Sequence, residues 1–208
     1  MPSTDTSLPP VLARVLDPAP ARVWRRAVAL LLDTTLAGTA AMVIFTTFIL
    51  PQNYPGYDKV IHDQWHTMSS QFHQALQSGS YAQPTLSDDF MDIAATAITT
   101  TFMTLWIYFS ASEAMLAGAT LGKRVFGLRA ARLGTGEPPL LFETLSRCAF
   151  KSVSLVMFWP LFFAADAIPV LFNASRRAGH DFLARTIVTG APLPQPTENG
   201  ARDEDDDY

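Results

Sequence analysis

Cysteine occurs once, at Cys148. No intrachain disulfide can form, and no cysteine metal cluster is available. Charge is scarce as well. Only 16% of residues are charged, against about 25% in an ordinary soluble domain. The net charge is −4, with acid gathered at the end in Asp203-Glu-Asp-Asp-Asp207. Basic residues form no surface beyond the flanks of the apolar runs, which excludes nucleic acid as a partner. The first twenty residues lack an apolar core and hold Pro2, Pro9, Pro10, Pro18 and Pro20. They do not read as a cleavable signal peptide, so the first apolar run is expected to act as the targeting signal. Residues 1–21 are expected to form a disordered Pro-rich tail, and 191–208 a disordered acidic one.

What is abundant is apolar sequence. Between Val28 and Leu50 the single charged residue is Asp33. An α-helix needs about 20 such residues to cross a bilayer, so 28–50 is predicted to be a first span. Arg26 and Asp33 share one helix face, roughly 10 Å apart along the axis. A carboxylate in a span points either to transport or to hydrogen bonding between helices. The second span is predicted at 93–117. It is rich in threonine (Thr96, Thr99, Thr100, Thr101, Thr104), and Glu113 lies near its end. Ala37 and Ala41 in the first span, and Ala114 and Gly118 in the second, have the spacing of close helix contacts.

Between the spans, residues 51–92 hold one basic residue, Lys59. Arg14, Arg22, Arg25 and Arg26 precede the first span, and Lys123, Arg124, Arg129, Arg132, Arg147 and Lys151 follow the second. The positive-inside rule then puts the N-terminus in the cytoplasm and 51–92 outside. Within that loop Ile61, Trp65, Met68, Phe72 and Leu76 recur at helical spacing. The helix they imply is expected on the outer membrane surface or over the mouth of the bundle. It carries His62, His66 and His73 on one side. His62 and His66 are the candidate metal pair, near Asp63 or Asp58, against the plainer reading of a polar face.

Gly118-xxx-Gly122-Lys123 lacks the spacing and the Ser/Thr of a phosphate loop. Val125–Leu133 and Thr186–Thr189 read as strands able to pair, and a helix is predicted from about Phe142. The stretch 152–172 contains Pro160, Pro169 and Asp166. One crossing would put Arg176, Arg177 and Arg185 outside, against the charge rule. A Pro-broken, re-entrant element with its C-terminal flank inside is favoured, with Asp166 beside Asp33 or Arg147. The fold class is thus an all-α membrane protein: two transmembrane helices, a third spanning or re-entrant segment, and a small cytoplasmic strand pair.

Three segments resemble the RDD family of membrane proteins: Arg26-Ala-Val-Ala29-Leu-Leu-Leu-Asp33, Ala119-Thr-Leu-Gly-Lys-Arg-Val-Phe-Gly-Leu-Arg129, and Arg176-Arg-Ala-Gly-His-Asp181-Phe-Leu-Ala-Arg-Thr186-Ile-Val. They occur in the family's order and cover about residues 22–190. The family's name-giving Arg, Asp and Asp correspond to Arg26, Asp33 and Asp181. Arg185 stands where the family pattern has Gly, and the loop 51–92 is long. The resemblance implies an integral membrane protein, with transport suggested for the group.

Two functions are expected on this basis. One is a transport or ion-exchange component working as an oligomer, with Asp33, Glu113 and Asp166 as its acids and Arg26 as counter-charge. The other is a structural or accessory subunit in which the same charges are satisfied pairs. Arg147 is the leading partner for Asp33, with threonines of the second span as alternatives. Asp181 is expected to accept bonds from Arg176, Arg177 or backbone amides. No nucleophile with a base, complete metal motif or cofactor fingerprint is visible, so neither an enzyme nor a cofactor is expected. The expected partners are the lipid bilayer and a second copy or another membrane protein. The expected location is the cell membrane, multi-pass.

Overall fold

Helix α1, Val23–Asn53, is long and apolar enough to cross a membrane. The structure is a computed structural model and describes residues 20–79, 83–157, 161–173 and 175–190, apart from the side chains of Phe162 and Phe163. Along α1 one residue in four is buried: Ala29, Asp33, Ala37 and Ala41. Leu31, Leu36, Met42 and Phe48 point outward. This arrangement suits lipid around a helix whose neighbours press on small side chains. Phe45–Ile49 form a π-helical turn ahead of Pro51. Proline has no N–H and its ring crowds the carbonyl four residues back, and a wider turn accommodates both.

Helix α2, Tyr57–Ser78, is the predicted amphipathic helix, starting and ending at left-handed glycines, Gly56 and Gly79. Trp65, Phe72 and Leu76 on its apolar stripe are exposed. Gln64 and Gln71 tie it to Thr85 and Ser87, just before the next helix. That helix, α3, spans Asp88–Met115 and is the second one long and apolar enough to cross a membrane. Ser87 caps it by accepting from the Phe90 amide. Thr99, Thr100, Thr101 and Thr104 donate to carbonyls four residues back. Their hydroxyls are thus satisfied within the helix rather than across to a partner. Helix α1 exceeds the predicted span 28–50 at both ends, and α3 starts before the predicted 93–117 with a polar first turn and stops short of its end at Met115.

Ala37 packs with Leu105, Phe109 and Cys148. Ala114 does not join this contact and is exposed. Gly118 lies beyond α3 at φ +86°, where an added Cβ would sit 2.4 Å from the Ala130 carbonyl oxygen. Its close approach is therefore to a strand, not to a helix.

After α3 come a short helix, α4 (Leu121–Val125), and strand β1 (Arg129–Arg132). Helix α5 runs Leu141–Val156, followed by α6 (Leu161–Ala167), α7 (Pro169–Phe172) and α8 (Gly179–Leu183). Strand β2, Thr186–Thr189, is buried throughout and pairs antiparallel with β1, Arg129 opposite Thr189 and Arg132 opposite Thr186. The strand pair is as expected, with β1 shorter than Val125–Leu133. The stretch 152–172 does not form one helix. It divides into the end of α5, α6 and α7, and Pro169 opens α7. Pro20 bridges to Thr189, and the Ala21 amide donates to the Val188 carbonyl. These two residues, read as part of the tail, instead lie along the sheet. The rest of the expected tail, and 191–208, lie outside the described residues.

Candidate functional site

Nine ionisable side chains converge where the end of α1 that begins at Val23 meets α4, α5 and α8. Eight are almost wholly buried: Asp33, Glu113, Lys123, Arg147, Lys151, Asp166, His180 and Asp181. Arg26 is the ninth, with its side chain 12% exposed. Six elements deliver them: α1, α3, α4, α5, α6 and α8. On α5 the inward stripe is Thr144, Arg147, Cys148, Lys151 and Ser152, while Leu141 and Phe142 face out. The helix is inside-out relative to a soluble one, as fits an apolar surround.

Asp33 takes three donors. Tyr108 Oη lies 2.6 Å from Oδ1, the Gly122 amide 2.8 Å from Oδ1, and the Thr120 hydroxyl donates to Oδ2. Thr120 also accepts from the Lys123 amide and so caps α4. Gly122 is required here: an added Cβ would lie 2.3 Å from the Ala29 carbonyl oxygen and 2.9 Å from the Asp33 carboxylate. The segment that resembled a phosphate loop holds the chain's own carboxylate. Arg147, the expected partner of Asp33, is engaged elsewhere; the threonine hydroxyl at Asp33 comes from Thr120, beyond the second span, and the span itself contributes the Tyr108 hydroxyl.

Glu113 is held by Lys123 Nζ at 2.5 Å and by Arg147, whose Nη2 donates to Oε1 at 3.2 Å. Arg147 Nη1 lies 3.1 Å from Glu113 Oε2, and Nε lies 3.2 Å from Asp181 Oδ1. These last two contacts are off the hydrogen-bonding angle and act as charge pairs. Arg147 therefore joins the acid of α3 to the acid of α8. Burial alone would strip its charge, but Glu113 and Asp181 outweigh this and hold its pKa above the ordinary value. Lys123 goes the other way. Burial, and then the Arg147 charge beside it, pull its ammonium below the ordinary range.

Asp181 is fully buried. Arg26 Nη2 reaches its Oδ2 at 2.6 Å, the Ala178 amide donates to the same oxygen at 3.1 Å, and Thr186 Oγ1 lies 3.5 Å from Oδ1. Burial would raise its pKa, but the His180, Arg147 and Arg26 charges outweigh that and hold it far below the carboxylate range. The expected donor Arg177 binds the Asp181 carbonyl instead, and the carbonyl of Arg176 accepts from Arg26. Asp166 lies beside neither Asp33 nor Arg147 as a pair. It accepts from the His180 amide at 2.8 Å, and His180 Nδ1 lies 2.7 Å from its other oxygen. His180, Tyr108, Thr120 and Lys151 were not singled out by sequence. Their distance along the chain from Asp33 and Asp166, and the absence of any spacing rule, left no signal for them.

A cavity of about 270 Å³ lies against the cluster. One wall carries Arg26, Asp33, Lys123, Lys151 and His180, and the other Leu30, Leu128, Ile168 and Leu171. Lys151 Nζ lies 3.5 Å from the centre of the Phe109 ring. Burial, and then the Lys123 charge, bring its pKa down to about 8. Burial, and then Glu113, raise the neighbouring Cys148 thiol to about 11.

The histidines of α2 stand apart. His62 Nε2 and His66 Nε2 are 3.1 Å apart on an exposed surface. Among the described residues no third His, Cys, Asp or Glu completes a metal-holding group with them.

No curated protein and no solved structure matches the chain. The RDD family model matches residues 20–185, which takes in every helix from α1 to α8 and the cluster, and stops just before β2. With two helices of membrane-crossing length and the Arg26, Asp33 and Asp181 positions gathered at one site, the chain is a membrane protein that belongs to the RDD family.

Proposed function

We propose that the chain is a multi-pass protein of the cell membrane, N-terminus in the cytoplasm, that acts as a non-enzymatic, non-transporting structural or accessory subunit. One observation carries this reading: every carboxylate of the cluster already faces a donor or a cation of the chain. Asp33 has three donors, Glu113 two cations, Asp181 two arginines and an amide, and Asp166 the His180 ring and amide. A carboxylate that exchanges ions needs a path to water and partners it can release. Here the same groups tie α1 and α3 to α4, α5 and α8. The orientation is supported by the basic residues before α1 and after α3, against Lys59 alone between them.

The cavity that reaches Asp33 and Asp166 favours a second reading, a transport or ion-exchange component completed by further copies. Reconstituted vesicles separate the two. As a subunit, wild type shows no ion flux above protein-free vesicles, and Asp33→Asn lowers abundance and thermal stability. As a transporter, wild type moves ions in a pH-dependent way, and Asp33→Asn keeps the fold and loses the flux. Asp33→Asn vesicles equal to wild type in both properties would remove this residue from either role.

A further inference from the structure

Among the described residues, Lys151 is the one cation of the cluster without an ion pair. It is 6% exposed, and the carboxylates around it are held by other groups. Among the described residues its contact is the Phe109 ring, which favours the ammonium but brings no counter-charge. A buried cation without a counter-ion is costly. Lys151 lines the cavity, where a ligand can supply what the fold does not.

The other wall narrows the ligand. Ile168 and Leu171 line the cavity and are also 50% and 68% exposed on the outside. Leu161 and Phe172 extend the same apolar surface. The cavity is therefore bordered on this side by exposed apolar residues. A water-borne ion gains nothing from such an edge, whereas a molecule with an acyl chain does. The volume, about 270 Å³, is close to the lower end of the roughly 300–1,000 Å³ of small-molecule sites. It takes a head group and the first part of a chain, and the remainder would lie along Leu171 and Phe172.

We propose that this cavity binds an anionic amphiphile from the bilayer, its negatively charged oxygen head paired with Lys151 and its acyl chain lying against Leu30, Ile168 and Leu171. The proposal rests on the membrane placement of the preceding reading and not on the role of the carboxylates. Failure of that placement would be seen separately, as recovery of the chain in the soluble fraction.

The full chain in non-ionic detergent is titrated with phosphatidylglycerol, oleate, phosphatidylcholine and inorganic phosphate, with native mass spectrometry and the thermal midpoint as readouts. Phosphatidylglycerol or oleate binds and raises the midpoint. Phosphatidylcholine and inorganic phosphate do neither at the same concentration. Tighter binding of phosphatidylglycerol identifies a lipid phosphate as the head, and the reverse a carboxylate. Lys151→Met weakens binding by about tenfold or more, the loss of one charge-assisted contact. If that variant does not fold, Ala167→Trp fills the apolar wall, leaves every charge in place, and blocks binding. Equal binding of phosphatidylcholine, binding of phosphate alone, or undiminished binding by a folded variant would overturn the proposal. So would a wild-type protein that binds neither anionic amphiphile.

Discussion

Arg26 and Asp181 lie 155 residues apart in sequence and 2.6 Å apart in space, with the Asp181 carboxylate fully buried. The pair closes the fold by fastening the first turn of α1 to α8. Arg147 approaches the same carboxylate from α5, so one acid answers two arginines.

Removing that acid should be costly. Asp181→Asn leaves Arg26 and Arg147 facing a neutral group, and breaking a buried pair costs about 3–5 kcal/mol. The yield of folded protein and its thermal midpoint in detergent should both fall sharply. Normal abundance and midpoint in the variant would show that the pair does not hold the fold.

Gly122→Ala tests the seat of Asp33 without altering charge. The added methyl would meet the Ala29 carbonyl oxygen at 2.3 Å, a backbone atom that cannot turn aside. Overpacking of this kind costs about 1–3 kcal/mol. The variant should lose stability and expose Asp33 to solvent, readable as faster hydrogen exchange over α4. Unchanged exchange would mean that α4 and α1 are not in this close contact.

Lys151 sets a pH dependence. Its folded-state pKa is about 8, against an ordinary 10.5. Between those values the unfolded chain binds more protons than the folded one, so stability rises with pH across that window. Below pH 8 the cost of burying the charge is present in full. Lys123, also pulled down, adds to the same slope, so Lys151→Met should reduce the rise rather than abolish it. Parallel curves for wild type and variant would put the Lys151 pKa at its ordinary value.

Arg185 sits at φ +50° and is exposed. This left-handed conformation burdens residues with a Cβ and is free for glycine. Arg185→Gly should therefore raise stability by about 1 kcal/mol, net of the added freedom of the unfolded chain. A lower midpoint would mean that the exposed guanidinium contributes more than the backbone loses.

Apolar run length, the bias of Lys and Arg, and period-2 and period-3.6 patterns are local properties. They were enough to locate α1 and α3, the amphipathic α2, and the pairing of β1 with β2; the family came from the resemblance of three segments. The three segments carrying Arg26, Asp33 and Asp181 were legible for the same reason, since each is a short run of residues. Which charge meets which is not local. Arg147 was expected at Asp33 because the charge bias put both near one membrane face, yet the turn at Gly118 and the short helix α4 bring Thr120 and the Gly122 amide there first. Arg147 is then left to bridge Glu113 and Asp181. In apolar surroundings each buried charge must find a partner, so the sequence alone determined that the acids would be paired. Only the tertiary structure, through close approach at Gly122 and the path of α5 to α8, decided the pairs and left Lys151 facing a cavity.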